Sequence, residues 1–251
     1  MRLSGKTVLI TGAKQGMGLA IAKKLKLEGA DLILNDKNSD ANFEKIAKDL
    51  DAKLIICDLS NLDEISSALN ETLKFTPKLD ALVAQHAYIS MAKFEDQDDK
   101  DWWKVVETNL LGTYVLVRES LPYLLKSKGK VVITSSYWGL TGWKEASAYS
   151  ASKAGLISLV KSLGRELAPM GVNVNGIAPG VINTPQLEVD AKNLNLKLEK
   201  VLEMYAENIP LARVGESFEI ASVVSFLLDP EQNAMVGQIV NANGGEIRSR
   251  A

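Results

Sequence analysis

Several things are scarce in this chain, and each scarcity closes off a class of function. Cysteine occurs once, at Cys57, so no intrachain disulfide can form, a cysteine-rich metal site is excluded, and a reducing compartment is expected. Histidine also occurs once, at His86, which excludes a multi-histidine metal centre, and no metal is expected. Charge of one sign is not in excess. The formal net charge is −2 and the Lys and Arg residues are scattered, so the electrostatic footprint of a nucleic-acid-binding surface is missing. Long apolar runs are lacking as well. The stretch from Met1 to Ile10 is interrupted by Arg2 and Lys6 and is too short for a signal-peptide core, and no later stretch could span a bilayer. A cytoplasmic protein with no membrane partner is therefore expected. Nor is there a Ser/Pro/Gly-rich linker, a low-complexity segment or a fixed-period repeat at which to divide the 251 residues, so a single domain over 1–251 is expected.

What the chain does contain is an alternation of short apolar or β-branched runs with longer segments of helical period. Strands are expected near Thr7–Ile10, Asp31–Asn35, Lys53–Cys57, Ala81–Ala84, Lys130–Thr134, Asn173–Ile177 and Gln238–Asn241. Helices are expected near Gly16–Glu28, Ala41–Leu50, Leu62–Lys74, Lys100–Leu125, Ser147–Ala168 and Glu216–Leu228. This alternation predicts an α/β fold, one doubly wound domain with a mainly seven-stranded parallel sheet, whose ligands bind beyond the carboxyl ends of the strands. The segment Pro185–Asn208 breaks the alternation. It is long, rich in Lys, Glu and Leu, and reads as a helical insertion that can serve as a substrate lid.

The first strand runs into Thr11-Gly12-Ala13-Lys14-Gln15-Gly16-Met17-Gly18, and an amphipathic helix follows at once. Glycines there let the backbone turn tightly and approach a pyrophosphate, while the helix amino end offers free N–H groups and a positive dipole. Gly12, Gln15, Gly16, Met17 and Gly18 are therefore candidate cofactor-binding residues. Asp36 closes the second strand eighteen positions after Gly18, where a dinucleotide fingerprint places an acid on the adenosine ribose hydroxyls. A carboxylate there repels a 2′-phosphate, so NAD is preferred over NADP. Lys14 and Lys37 pull the other way, since either ammonium could pair with that phosphate, and NADP stays open. Asp58, after the third strand, either accepts from the adenine amino group or caps the next helix.

Further along, the chain has Asn109 in a helix, Ser136 after the fifth strand, Tyr149-Ser150-Ala151-Ser152-Lys153, and Pro179-Gly180-Val181-Ile182-Asn183-Thr184. With the glycine run, and in this order, these motifs resemble the short-chain dehydrogenase/reductase family over essentially the whole chain. The chemistry can be argued from the residues. An alcohol gives up hydride only as its hydroxyl proton is removed, and carbonyl reduction needs the corresponding acid. Tyrosine ordinarily titrates near 10, but Lys153 lies one helical turn after Tyr149, and its ammonium together with an oxidised nicotinamide should bring the phenol toward neutrality. Ser136 can hydrogen-bond the substrate oxygen and stabilise charge developing on it.

The resemblance implies a Rossmann-type fold, a catalytic set of Asn109, Ser136, Tyr149 and Lys153, and a second task for Lys153 on the nicotinamide ribose beside Tyr149. It further implies that Asn109 holds a water linking Lys153 to solvent, that Pro179, Gly180 and Ile182 border the cofactor, and that Thr184 either bonds the nicotinamide carboxamide or caps a helix. It also implies a homotetramer built through Lys100–Leu125, Ser147–Ala168 and the last strand. The chain departs from the family after the fourth strand, where Ala84-Gln85-His86-Ala87 stands in place of Asn-Asn-Ala-Gly. Gln85 and Ala87 remain candidates for lining the adenosine side, and His86 reads as a packed or hydrogen-bonded loop residue rather than a catalytic one. Tyr137, Trp138 and Trp143 read equally as an apolar substrate wall or as core and subunit contacts.

The expected activity is hydride transfer between a nicotinamide and a small-molecule secondary alcohol or ketone, with sugars and polyols among the candidates. Ile209–Gly215 and Val240–Gly245 also look like members that reduce 3-oxoacyl thioesters or oxidise sugars and polyols, and an NADPH-linked 3-oxoacyl-thioester reductase is the alternative, with Asp36 the feature against it. A third reading, a nucleotide-binding sensor without catalysis, is opposed by the joint presence of Ser136, Tyr149 and Lys153.

Overall fold

A strand covered by helices on both faces must be apolar along its whole length, and four segments of this chain meet that demand in unbroken runs: Val8–Thr11, Leu32–Asn35, Ala81–Ala84 and Val131–Thr134 are buried throughout. In the computed structural model, which describes residues 1–73, 76 and 78–247, with Thr72 by its backbone alone, these runs form the centre of the fold. The strands are β1 (Thr7–Thr11), β2 (Asp31–Asp36), β3 (Ala52–Ile56), β4 (Ala81–Ala84), β5 (Lys130–Thr134), β6 (Asn173–Pro179), β7 (Ile182–Asn183), β8 (Gly215–Glu216) and β9 (Ile239–Ala242). Seven of them make one parallel sheet in the order β3-β2-β1-β4-β5-β6-β9, while β7 and β8 pair with each other. Every predicted strand of the large sheet forms, with ends within two residues of expectation. β6 runs on to Pro179 because β9 continues to pair with it, Pro179 lying opposite Ala242.

The helices are α1 (Gly16–Leu27), α2 (Ala41–Asp49), α3 (Leu62–Leu73), α4 (Asp99–Val106), α5 (Gly112–Ser127), α6 (Trp138–Thr141), α7 (Ser147–Leu167), α8 (Pro185–Leu194), α9 (Leu198–Ala206) and α10 (Ser217–Leu228). The predicted end of the third helix, Lys74, lies outside the described residues. Strand side chains alternate between the two faces, so the sheet has two cores. Leu9, Leu82, Val131 and Ile133 pack against α3, α5 and α7 through residues such as Leu69, Leu116 and Val160. Val8, Ile10, Leu34 and Val83 pack on the other face against α1, α2 and α10 through Ile21, Phe43 and Val224. Full burial of each such side chain contributes about 1.5–3 kcal/mol.

One predicted helix is divided. Lys100–Leu125 becomes α4 and α5, joined by a π-helical turn over Glu107–Leu111, where one extra residue is accommodated without breaking the helix. The junction is crowded: a Cβ on Gly112 would lie 2.3 Å from the carbonyl oxygen of Leu59, so only glycine lets α5 pass that strand end. The insertion Pro185–Asn208 is helical as expected, in two pieces, α8 and α9. Asn195 makes the turn between them at a φ of 53°, in the left-handed region. The β7–β8 pair brackets its base, with Ile182 opposite Gly215 and Asn183 opposite Glu216.

Strand order reverses between β1 and β4. The loops that leave these strands splay apart there and open a crevice at the carboxyl end of the sheet.

Candidate active site

The crevice is floored by glycine. Gly12 and Gly16 hold φ values of 61° and 55°, and a Cβ on Gly18 would lie 2.0 Å from the carbonyl oxygen of Gly12, a distance no side chain permits. This corner delivers the backbone to the amino end of α1, whose N-cap Gln15 makes no side-chain bond to the helix. A cavity of about 440 Å³ opens in front of it, bordered by Gly12, Gln15, Gly16, Met17 and Gly18 and, further round, by Asp36, Asp58, His86 and Thr184. A glycine cradle, an uncapped helix amino end and an acid at the end of β2 fit a dinucleotide.

The two acids are fixed locally. Asp36 accepts backbone N–H groups from Lys37 at 2.9 Å and Lys14 at 3.4 Å, so it supports a turn as well as facing the cavity. Asp58 accepts from the backbone and the hydroxyl of Ser60 at 2.9 and 2.7 Å, which holds its carboxyl below the usual range despite burial. It is not the N-cap of α3, which begins at Leu62. Thr184 occupies the N-cap position of α8 but makes no side-chain cap bond, so its hydroxyl is uncommitted to the helix. Three expected cofactor neighbours contribute nothing to this cavity. Pro179 accepts the N–H of Tyr137, Gly180 bonds Ala242 with its Cβ position filled by Asn243, and Ile182 is a core residue. They steer the chain from β6 to Thr184, because the end of β6 is still occupied by pairing to β9.

Ser136, Tyr149 and Lys153 come together beyond β5, beside the cavity rather than on its wall. Ser136 neighbours the Tyr149 phenol and favours its ionised form, and Ser136 Oγ accepts the N–H of Trp138 at 3.2 Å. Lys153, only 1 % exposed, donates from Nζ to the carbonyl of Thr134 at 2.9 Å, and that Nζ lies 5.4 Å from the centre of the Tyr149 ring. A Cβ on Gly139 would meet the carbonyl carbon of Lys153 at 2.7 Å, so this glycine lets α6 lie directly on α7. Burial pushes the Lys153 ammonium down to about 7. Burial also pushes the Tyr149 phenol up, to about 12, with Ser136 offsetting only part of it. The expected shift toward neutrality belongs to the site with an oxidised nicotinamide beside the phenol. In the free protein desolvation outweighs the lysine, whose nitrogen is directed to Thr134.

Asn109 sits in the π turn, fully buried, and spends its side chain on protein partners. Its Oδ1 accepts from Tyr88 N at 2.7 Å, and its Nδ2 donates to Tyr88 O at 2.9 Å and Ser152 Oγ at 3.1 Å. It ties the loop after β4 to α7. Any water it holds must use its backbone carbonyl, which already accepts from Thr113 Oγ1 at 2.7 Å. Because that hydroxyl is a donor, His86 Nε2–H donates to Thr113 Oγ1 at 3.3 Å, and His86 Nδ1 accepts from Thr11 Oγ1 at 2.8 Å. Burial and the nearby Lys153 charge push His86 down to about 4, so it is neutral, the hydrogen-bonded loop histidine expected. Gln85 takes over the support of the central sheet, accepting from Thr134 Oγ1 at 2.6 Å, and it lines the cavity with Ala87.

Sequence reading gave no role to Thr11, Tyr88, Thr113, Thr134 or Gly139, all of which hold this arrangement. Only the departure at Ala84–Ala87 signalled that something here differs. Tyr137 is core at 4 % exposure, whereas Trp143 is 42 % exposed and stacks on Trp138 at 5.1 Å with an interplanar angle of 7°. Trp138 in turn meets the Tyr149 ring edge to face at 5.7 Å. Among the described residues no three His, Cys, Asp or Glu side chains gather to hold a metal ion, and no helix is long and apolar enough to cross a membrane.

Residues 12–246 match the family described as enoyl-(acyl carrier protein) reductase. Among curated proteins, the chain is 35 % identical over 246 residues to the 3-oxoacyl-(acyl-carrier-protein) reductase FabG of Rickettsia felis, covering 97 % of each. It is likewise 35 % identical over 251 residues to the FabG of Aquifex aeolicus, covering 98 % of each. A solved structure of a short chain dehydrogenase/reductase family protein superposes with a TM-score of 0.86 at 30 % identity, covering 98 % of both chains. With its glycine-cornered parallel sheet and these relatives, the chain belongs to the short-chain dehydrogenase/reductase family of oxidoreductases, which bind a nicotinamide cofactor.

Proposed function

We propose that the chain is a ketoreductase that converts a 3-oxoacyl thioester to the 3-hydroxyacyl thioester with NADH. The observation that carries this reading is that Ser136, Tyr149 and Lys153 converge next to a glycine-floored crevice. With burial pushing it up to about 12, the phenol of the free protein starts protonated, as the donor in carbonyl reduction must. The names of the curated relatives favour a 3-oxoacyl thioester over the sugars and polyols also expected from the sequence. Asp36 at the end of β2 favours the cofactor with a free 2′-hydroxyl.

When bound, the nicotinamide supplies the hydride for the carbonyl carbon. The remaining work falls to the chain. Gly12 to Gly18 and the α1 amino end receive the pyrophosphate, Asp36 the adenosine ribose and Asp58 the adenine amino group. Thr184 takes the carboxamide, and Lys153 the nicotinamide ribose. Ser136 donates a hydrogen bond to the substrate oxygen and fixes the carbonyl, and Tyr149 passes its phenolic proton to that oxygen. A protonated Lys153 stabilises the phenolate left behind. Asn109 holds the loop carrying Tyr88 against α7 and offers its carbonyl to a water that restores the proton. The stacked Trp138–Trp143 pair forms an apolar wall beside Tyr149, and α8 and α9 close over the substrate as a lid on a single domain. Exposed Trp103, Leu111, Tyr114 and Leu125 on the long helical segment suit a homotetramer, and unpaired Cys57 suits the cytoplasm.

The test is NADH and NADPH oxidation by the purified protein with 3-oxoacyl thioesters, sugar ketones and simple ketones. Turnover of the thioesters with NADH is expected. Cofactor binding without turnover across the panel would replace this reading with a sensor.

A further inference from the structure

The adenosine rim of the crevice carries two cations near Asp36, and either one, if free, would give a 2′-phosphate a partner. Lys37 and Asp36 border the cavity; Lys14 does not. Its ammonium is drawn away to Asp40, with Nζ 2.6 Å from Oδ2, although its own backbone N–H reaches Asp36. Asp40 has a second task. It is the N-cap of α2, and its Oδ1 accepts the N–H of Phe43 at 2.9 Å, where the Phe43 side chain is fully buried in the core. One oxygen of this carboxylate thus anchors a helix while the other holds Lys14. Its lysine partner and the Phe43 N–H hold the carboxyl below its usual range.

We propose that Asp40 is a cofactor-selectivity residue. By capturing Lys14 it withholds one of the two cations that could receive a 2′-phosphate. This rests on the reading of the glycine corner as a dinucleotide site. Asp36 alone leaves NADP a route, because a nearby lysine can neutralise the phosphate; Asp40 takes Lys14 out of that route and leaves Lys37 at the cavity. The pair is solvent-exposed, with Asp40 50 % accessible, so its effect is several-fold rather than absolute.

The test is direct binding of NADH and NADPH by calorimetry to wild type, Asp40→Asn and Asp40→Asn/Lys14→Met, with thermal melting of each. Asparagine caps a helix as well as aspartate does, so Asp40→Asn should melt with the wild type. It should bind NADPH about fivefold more tightly with NADH affinity little changed, and adding Lys14→Met should abolish the gain. An unchanged NADPH affinity in a folded Asp40→Asn protein that still binds NADH overturns the proposal. So does a gain that survives Lys14→Met, which would assign the effect to the carboxylate charge alone. If the wild type binds neither dinucleotide, the proposed function itself fails, and this inference with it.

Discussion

Around β1 and β2 the site works by leaving side chains out, whereas around β5 and α7 it works by burying polar ones. Gly12, Gly16 and Gly18 leave bare backbone at the cavity, and a single Cβ at Gly18 would collide with Gly12. On the other side Asn109, Lys153 and Ser136 are buried and held by named partners, such as Thr134 and Ser152. The comparison teaches that the two halves tolerate change differently. A backbone cradle fails sterically, through shape and binding, while a buried polar cluster fails chemically, through proton affinity, with its shape intact.

Substitution of Tyr149 by Phe gives the largest effect. It removes one hydroxyl from the polar half and should lower turnover about 10³-fold or more while NADH affinity, read by fluorescence titration, stays within twofold. Parallel loss of affinity would show that the two halves are not separable. In the cradle, Gly18→Ala should weaken NADH binding by more than about tenfold and lower the melting temperature, since the corner must shift to admit the Cβ. Gly142→Ala, at a φ of 71° with no neighbour within 4 Å, should cost stability through backbone strain without touching binding. Equal binding losses in the two variants would refute the steric account.

Smaller effects sharpen the boundary. Asp36→Ala should move the NADPH-to-NADH affinity ratio about tenfold toward NADPH, and an unmoved ratio would take Asp36 off the ribose site. His86 sits where the halves meet, and burial pushes it down to about 4 from 6.5. Between those values the unfolded chain binds more protons than the folded one, so stability rises with pH across the window and is lost as pH falls from 6.5 toward 4. The loss should be about 2 kcal/mol in urea denaturation, and His86→Asn should reduce it. An equally steep loss in the variant would assign the acid sensitivity to the carboxylates.

Legibility in the sequence follows the same division. The bounds of β4 and β5 could be read directly, because buried parallel strands are short unbroken apolar runs ended by polar residues. The glycine corner was legible because positive φ and close approach leave glycine as the residue that fits. The π turn inside Lys100–Leu125 was not, since one extra residue barely disturbs a helical period, yet it seats Asn109 against Tyr88 and Ser152. The proton affinity of Tyr149 in the free protein was not legible for a related reason. Spacing puts Lys153 one turn away on the same face, but cannot say that its nitrogen is directed to Thr134 or how much water is excluded.

By itself the sequence determined the parallel sheet and the glycine-built corner, because each depends on local stereochemistry. Only the tertiary structure decided which polar groups are satisfied by protein: Lys14 by Asp40, His86 by Thr11 and Thr113, and Asn109 by Tyr88 and Ser152. Charge, hydrogen bonding and desolvation are set by neighbours distant in sequence, and those neighbours exist only once the chain has folded.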